Sequence, residues 1–139
     1  MRWYEDSWIG AFDWRKFVNE NKEHFPLIYD MCNKNAYYEL FSWTIMVRIF
    51  RDQEIDHPTG IVIYDERNKN NFHIYALEVY DQDRLKGNGR YLLKSFLEKG
   101  DKVSLSCLPD VRTFYEKQGF KEQGECKMIW TRGGNGNSV

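Results

Sequence analysis

Residues 72–97, FHIYALEVYDQDRLKGNGRYLLKSFL, constrain the fold of this 139-residue chain more than any other stretch. Positions 72–80 are rich in aromatic and β-branched residues and read as a strand. Positions 81–87 are polar and end in glycine, which reads as a loop. A helix opens near Asn88, and Leu92, Leu93, Phe96 and Leu97 recur along it as one apolar face. Where a turn feeds a helix in this way, the first amides of the helix point in one direction and the helix dipole adds to them. The junction is therefore an anion cradle. Gly87 and Gly89 let a ligand approach backbone that a Cβ would shield, and Asn88 between them tolerates unusual φ.

The flanking sequence fixes how this unit is used. Positions 1–12 hold Trp3, Tyr4 and Trp8 and can supply a short first strand. Asp13 is an N-cap candidate, and Trp14, Phe17, Val18 and Asn21 then fall at helical spacing to about Lys22. Pro26 suits the first turn of a second helix, with Leu27, Ile28, Met31 and Cys32 as its apolar face and 33–35 as its end. Positions 43–51 alternate as a strand, with Trp43, Ile45, Val47 and Ile49 facing one way. Positions 59–65 form the next strand across a polar link, which predicts an antiparallel hairpin, and a polar turn at 67–71 extends it to a three-stranded meander. After the helix, Gly100 and Asp101 break the pattern and 102–108 alternate as a strand. Strand, crossover helix and strand predict a parallel pair.

Pro109 and Asp110 open a further helix, with Val111, Phe114 and Tyr115 on one face and Gly119 at the C′ position. Positions 120–123 and 126–131 form a closing hairpin across Gly124. Residues 1–131 read as a single domain without internal repeats, and 132–139 (RGGNGNSV) as a flexible tail.

Composition removes several classes of function. Net charge is −1 with acidic and basic residues interspersed, so no basic footprint for nucleic acid exists. Cys32, Cys107 and Cys126 lack metal spacing, and their odd number argues against a disulfide framework; Cys107 and Cys126 fall in expected strands as buried thiols. No segment reaches transmembrane length and no signal peptide is apparent, so a cytoplasmic location is expected. Aromatic residues make up 17% of the chain, enough for a bulky core or an aromatic-lined cleft.

Within the central unit, Arg84-Leu85-Lys86-Gly87-Asn88-Gly89 reads R-x-x-G-x-G, and Phe114-Tyr115-Glu116-Lys117-Gln118-Gly119-Phe120 reads FYxxxGF. Together and at this separation they resemble the GNAT superfamily of acyl-CoA N-acyltransferases, over about residues 60–131. The resemblance implies an α/β (α+β) fold: a mixed, mostly antiparallel sheet of six to seven strands flanked by about four helices. One parallel strand pair, 72–80 beside 102–108, splays apart at the cofactor site. It also implies acetyl-CoA as cofactor, with its pyrophosphate on the amides of Leu85, Gly87, Asn88, Gly89 and Arg90. The pantetheine arm would pair with the backbone of Leu77 and Val79 as an added strand. Arg84, Lys86 and Arg90 add positive charge nearby.

For proton removal from an amine, the resemblance points to His73, since HIYALEV is similar to the HIHALAV strand of arylalkylamine N-acetyltransferases, with Tyr75 replacing the second histidine. Strand alternation places His73 with Tyr75, Leu77 and Val79, and Glu78 on the opposite face as the second candidate base. A solvent-facing strand-end histidine is the competing reading. Tyr115 takes the position of the family's general acid, with a packed core tyrosine as its alternative. Where many members carry an Asn that binds the cofactor arm, followed by Ala, this chain has Pro109 and Arg112, with Asp110 or Arg112 as substitutes. Tyr37, Tyr38 and Phe41 line either an acceptor pocket or the core. His24 and His57 carry no motif.

The expected function is acetyl transfer to a primary amine, on a small molecule or a peptide, by direct attack in a ternary complex. A catalytically inactive CoA-binding or protein-interaction module is the alternative, and the chain is expected to be a monomer or homodimer. A Rossmann site is disfavoured, because Leu92 occupies the third glycine position.

Overall fold

The computed structural model describes residues 1–8, 13–32, 44–80 and 87–133. The strands are β1 (Arg2–Trp8), β2 (Ile45–Asp52), β3 (Gly60–Asn68), β4 (Asn71–Val79), β5 (Lys102–Ser106), β6 (Lys121–Glu122) and β7 (Lys127–Thr131). The helices are α1 (Trp14–Glu20), α2 (Pro26–Cys32), α3 (Asn88–Leu97) and α4 (Arg112–Lys117), the last preceded by a 3₁₀ turn at Pro109–Val111. The strands form one seven-stranded sheet in the order β1-β2-β3-β4-β5-β7-β6. Every pair is antiparallel except β4 with β5, where α3 supplies the crossover. This is the mixed sheet with a single parallel pair that the sequence predicts.

Alternation along the strands divides the core into two layers. Ile45, Val47, Ile49, Ile61 and Ile63 face Val18, Phe25 and Ile28 of the α1–α2 segment. Phe50, Val62, Phe72, Ile74, Val103 and Met128 face Leu92, Leu93 and Phe96 of α3 and Tyr115 of α4. Neither helical pair could hide its apolar face without the sheet, so the two helical layers are held apart by one sheet thickness. Arg48 lies on the α3 face and is buried. Its guanidinium grips Asp6, directly opposite on β1, through Nε (2.7 Å) and Nη2 (3.1 Å), donates to Ser95 Oγ and stacks 4.0 Å over Tyr4. Burial alone would lower its basicity, but the Asp6 bond and charge leave its pKa raised.

Several expectations change at element ends. Strand β5 stops at Ser106, so Cys107 lies just beyond it, and Cys126 precedes β7 in a turn where Glu125 and Cys126 both take positive φ. Val111 is exposed and leaves the face that Phe114 and Tyr115 share, because the 3₁₀ turn rotates it away from the α4 stripe. Arg132, the first residue of the expected tail, donates to the carbonyls of Leu97, Glu98 and Gly100 and so caps the C-terminus of α3. Positions 33–35 and Trp43 lie outside the described residues, as do positions 134–139.

Candidate active site

Strands β4 and β5 pair from Asn71 with Lys102 to Ile74 with Leu105, and no further. Beyond Ile74, β4 continues to Val79 beside β3, while β5, paired with β7 along its length, ends at Ser106. Among the described residues, the second edge of Tyr75–Val79 has no strand on it. A strand edge of this kind is one to which an extended ligand adds as a further strand. The splay expected from the resemblance is thus present between Leu77 and Val79 on one side and the residues after Ser106 on the other.

A β-bulge decides which side chains face which layer. Ile63 pairs with Ala76 and Tyr64 pairs with Ile74, which leaves Tyr75 as an extra residue without a partner on β3. Every side chain after it changes face relative to simple alternation. Leu77 and Val79 therefore join Ile74 on the α3 side. His73, opposite Asp65, shares the α1–α2 side with Ala76 and with Glu78, opposite Ile61. The expectation that His73 faces with Leu77 and Val79, and opposite to Glu78, is corrected: two-residue periodicity does not hold across an inserted residue.

His73 is half-buried, its Nδ1 lies 2.9 Å from Ser104 Oγ on β5, and its ring meets Tyr75 edge-on at 4.8 Å. Burial lowers its pKa from 6.5, Arg67 lowers it further and Asp65 partly offsets both. The imidazole is accordingly neutral at pH 7. If Nδ1 carries the proton and donates it to Ser104, Nε2 is left as a lone-pair base.

Glu78 is differently occupied. Its Oε2 accepts from the Leu27 amide (2.9 Å) and its Oε1 from the Ile28 amide (2.8 Å). These are first-turn donors of α2, whose preceding residue, Phe25, has no polar side chain to cap them. The carboxylate is a helix cap delivered from a distant strand.

Tyr115 stands on the other side of the sheet, in α4, and is buried. Burial pushes its phenol up to about 12, and nearby Cys107 adds to the effect. Cys107 is the residue after β5, so the Tyr115 phenol senses a group at the end of that strand. Burial and Cys126 raise the Cys107 thiol to about 11, and among the described residues both cysteines are free, in keeping with inert thiols.

The start of α3 closes the site at the end of β4. Gly87 is its N-cap with φ 79°, a left-handed conformation, and as a glycine it brings no side chain to cap the helix. Among the described residues, nothing lies within 4 Å of where a Cβ at position 87 would stand. Amides of Asn88, Gly89 and Arg90 occupy the first turn, where intrahelical acceptors are lacking. An anion fits there. Gly89 has a packing reason besides: its Cβ would come 3.2 Å from the Phe114 ring. Arg84, Leu85 and Lys86, and likewise Tyr37, Tyr38 and Phe41, lie outside the described residues. Asp110 is exposed, and Arg112 is engaged with Glu122 at 3.5 Å.

Sequence reasoning passed over two groups. Asp65 and Ser104 flank His73 on neighbouring strands, which only the register reveals. His24 and His57 stack at 4.4 Å, and each meets Tyr80 edge-on at 4.8 Å, joining the α1–α2 turn to the β2–β3 loop. Among the described residues no cluster of His, Cys, Asp and Glu could hold a metal, and no helix is long and apolar enough to cross a membrane.

No family model and no curated protein matches the sequence. Solved structures do match. Tetrahymena GCN5 superposes with a TM-score of 0.68 at 11% identity, covering 92% of this chain and 94% of that one. IAA acetyltransferase from Bacillus cereus gives 0.60 at 12% identity, covering 93% and 95%. Ard1 from Thermoplasma volcanium gives 0.54 at 16%, covering 92% and 97%. At such identities the likeness establishes the fold, and the fold is that of the GNAT acetyltransferases.

Proposed function

We propose that the chain is an acetyl-CoA-dependent N-acetyltransferase that transfers an acetyl group to a primary amine by direct attack. One observation carries this reading. Strand β4 pairs with β5 only as far as Ile74, with His73 on one face of the sheet and Tyr115 on the other, and the same strand runs on towards the start of α3. A thioester lying along the outer edge of Tyr75–Val79 has its phosphates at Gly87, Asn88, Gly89 and Arg90. Its carbonyl then sits in the gap between the two layers. The amine approaches from the α1–α2 side, where neutral His73 removes its proton. Leu27, whose amide binds Glu78 on the α1–α2 side, is strongly exposed and suits an acceptor with an apolar body.

Tyr115 acts from the opposite layer. A thiol ordinarily titrates near about 8.5, so full proton transfer from a phenol at about 12 to the departing thiolate is uphill by about 5 kcal/mol. The energetically reasonable role is hydrogen-bond donation to sulfur as its charge develops. Tyr115→Phe keeps the ring packing and removes that donor. It is expected to lower kcat by roughly 10–100-fold with KM for acetyl-CoA little changed. A Phe variant with parental kcat would reduce Tyr115 to a core residue.

The cofactor site is tested by calorimetric titration with acetyl-CoA. The parent should bind in the micromolar range, and Gly87→Asp should not. Asp is tolerated in left-handed backbone better than most residues and is favourable at an N-cap, so the variant stays folded while repelling phosphate. No binding by the folded parent would overturn the enzyme reading. Equal binding by both proteins would remove the pyrophosphate from this helix.

A further inference from the structure

Asp65 lies on β3 directly opposite His73 and is only 9% exposed. Its Oδ2 receives a long hydrogen bond of 3.5 Å from the Tyr75 hydroxyl, the side chain that the bulge displaces. Its Oδ1 is sealed from solvent and has no hydrogen-bond partner among the described residues. Leaving a buried acceptor unmade is unfavourable, and more so when it is charged. Packing cannot account for it, since an apolar residue at this position would fill the same space without that penalty. The same row continues through His73 to Ser104 on β5, so Asp65, His73 and Ser104 form a polar line across three strands.

We propose that Asp65 is a positioning residue of the proton-removing site, its carboxylate stabilising the imidazolium that forms when His73 takes the acceptor's proton. This rests on the reading of His73 as base. In the step, the N–H bond of the acceptor ammonium breaks, its electron pair stays on nitrogen, and the proton moves to His73 Nε2. Nδ1 keeps its own proton on Ser104. The ring then carries a donor that the resting state lacks, and Asp65 Oδ1 is the acceptor reserved for it, directly or through one water. Two charges on β3 act on His73 in opposite directions: Asp65 favours the protonated ring, whereas Arg67 opposes it.

The test is NMR titration of the full chain, following the His73 ring and the Asp65 carboxyl carbon. In the parent, Asp65 is expected to show an inflection at the His73 midpoint, as coupled groups do. Asp65→Asn should move the His73 midpoint down, and Arg67→Gln should move it up. In turnover, Asp65→Asn should shift the acid limb of kcat/KM downward and lower kcat, by less than the roughly 10²–10⁴-fold expected of removing the base itself. KM for acetyl-CoA should be unmoved. Absence of the Asp65 inflection in the parent, or an unchanged His73 midpoint in folded Asp65→Asn, overturns the proposal. If that occurs while loss of His73 still slows transfer, only the Asp65 role fails. Should transfer survive loss of His73, the base reading fails, and this one with it.

Discussion

His73→Gln is expected to lower kcat by roughly 10²–10⁴-fold while leaving acetyl-CoA affinity near the parental value. Gln preserves polarity and approximate volume, so the Ser104 contact can be kept while the titratable lone pair is lost. The acetyl-CoA surfaces proposed above, the outer edge of β4 and the start of α3, do not include this side chain. The pH profile supplies a second readout. The folded-state pKa of His73 is lowered from 6.5, by burial first, then by Arg67. The acid limb of the parental kcat/KM should accordingly fall below 6.5 and vanish in the variant.

The same shift has a sign for stability. A histidine with a depressed folded pKa contributes its full stability above the unfolded value and loses it as pH falls through the folded one. Parental stability should therefore weaken on acidification in the window below 6.5, and His73→Gln should flatten that part of the curve. A variant with parental kcat and an intact acid limb would assign proton removal to another group or to water.

How much of this was legible beforehand depended on whether the signal was local. The strand, loop and helix of 72–97 are each specified by residues adjacent in sequence, and β4, α3 and the parallel β4–β5 pair stand where they were expected. The positive φ falls on Gly87, at 79°, and not on Asn88, which was the residue expected to take an unusual φ and which instead opens α3. The bulge was not legible. Nothing in HIYALEV says that Tyr75 is an insertion, since its residues are all acceptable in an unbroken ladder; only the partner strand's register makes Ile63 meet Ala76. That single slip moves His73 and Glu78 onto one face and brings His73 opposite Asp65. Stacking of His24 on His57 was equally hidden, because it joins turns that are remote in the chain. One clue to Glu78 was present: a helix beginning at Pro26 with Phe25 before it has no polar cap of its own, and a glutamate lay in the strand that packs against it.

Glu78→Ala is expected to be the more damaging change for the fold, by about 3–5 kcal/mol. Hydrogen bonds to a charged group are worth about 1.5–3 kcal/mol each, and Glu78 makes one to Leu27 and one to Ile28. Removing it leaves two buried or half-buried helix-terminal amides without their acceptor, and α2 is too short to be stable without tertiary support. Thermal or urea unfolding checks this, with a fall in Tm of roughly 10 °C or more for a domain of this size. Glu78→Gln retains one carbonyl oxygen and should lose about half as much.

The Gln variant also separates the two roles that Glu78 could hold. As a cap, it ties α2 to the face from which the acceptor approaches, so Glu78→Gln should raise KM for the acceptor and leave kcat within a few-fold of the parent. As the base, the same variant would lose roughly 10²–10⁴ in kcat whatever its stability. Two amides at 2.8 and 2.9 Å already occupy both of its oxygens, which makes the first outcome the expected one. A large loss of kcat in a Gln variant of parental stability would transfer proton removal from His73 to Glu78.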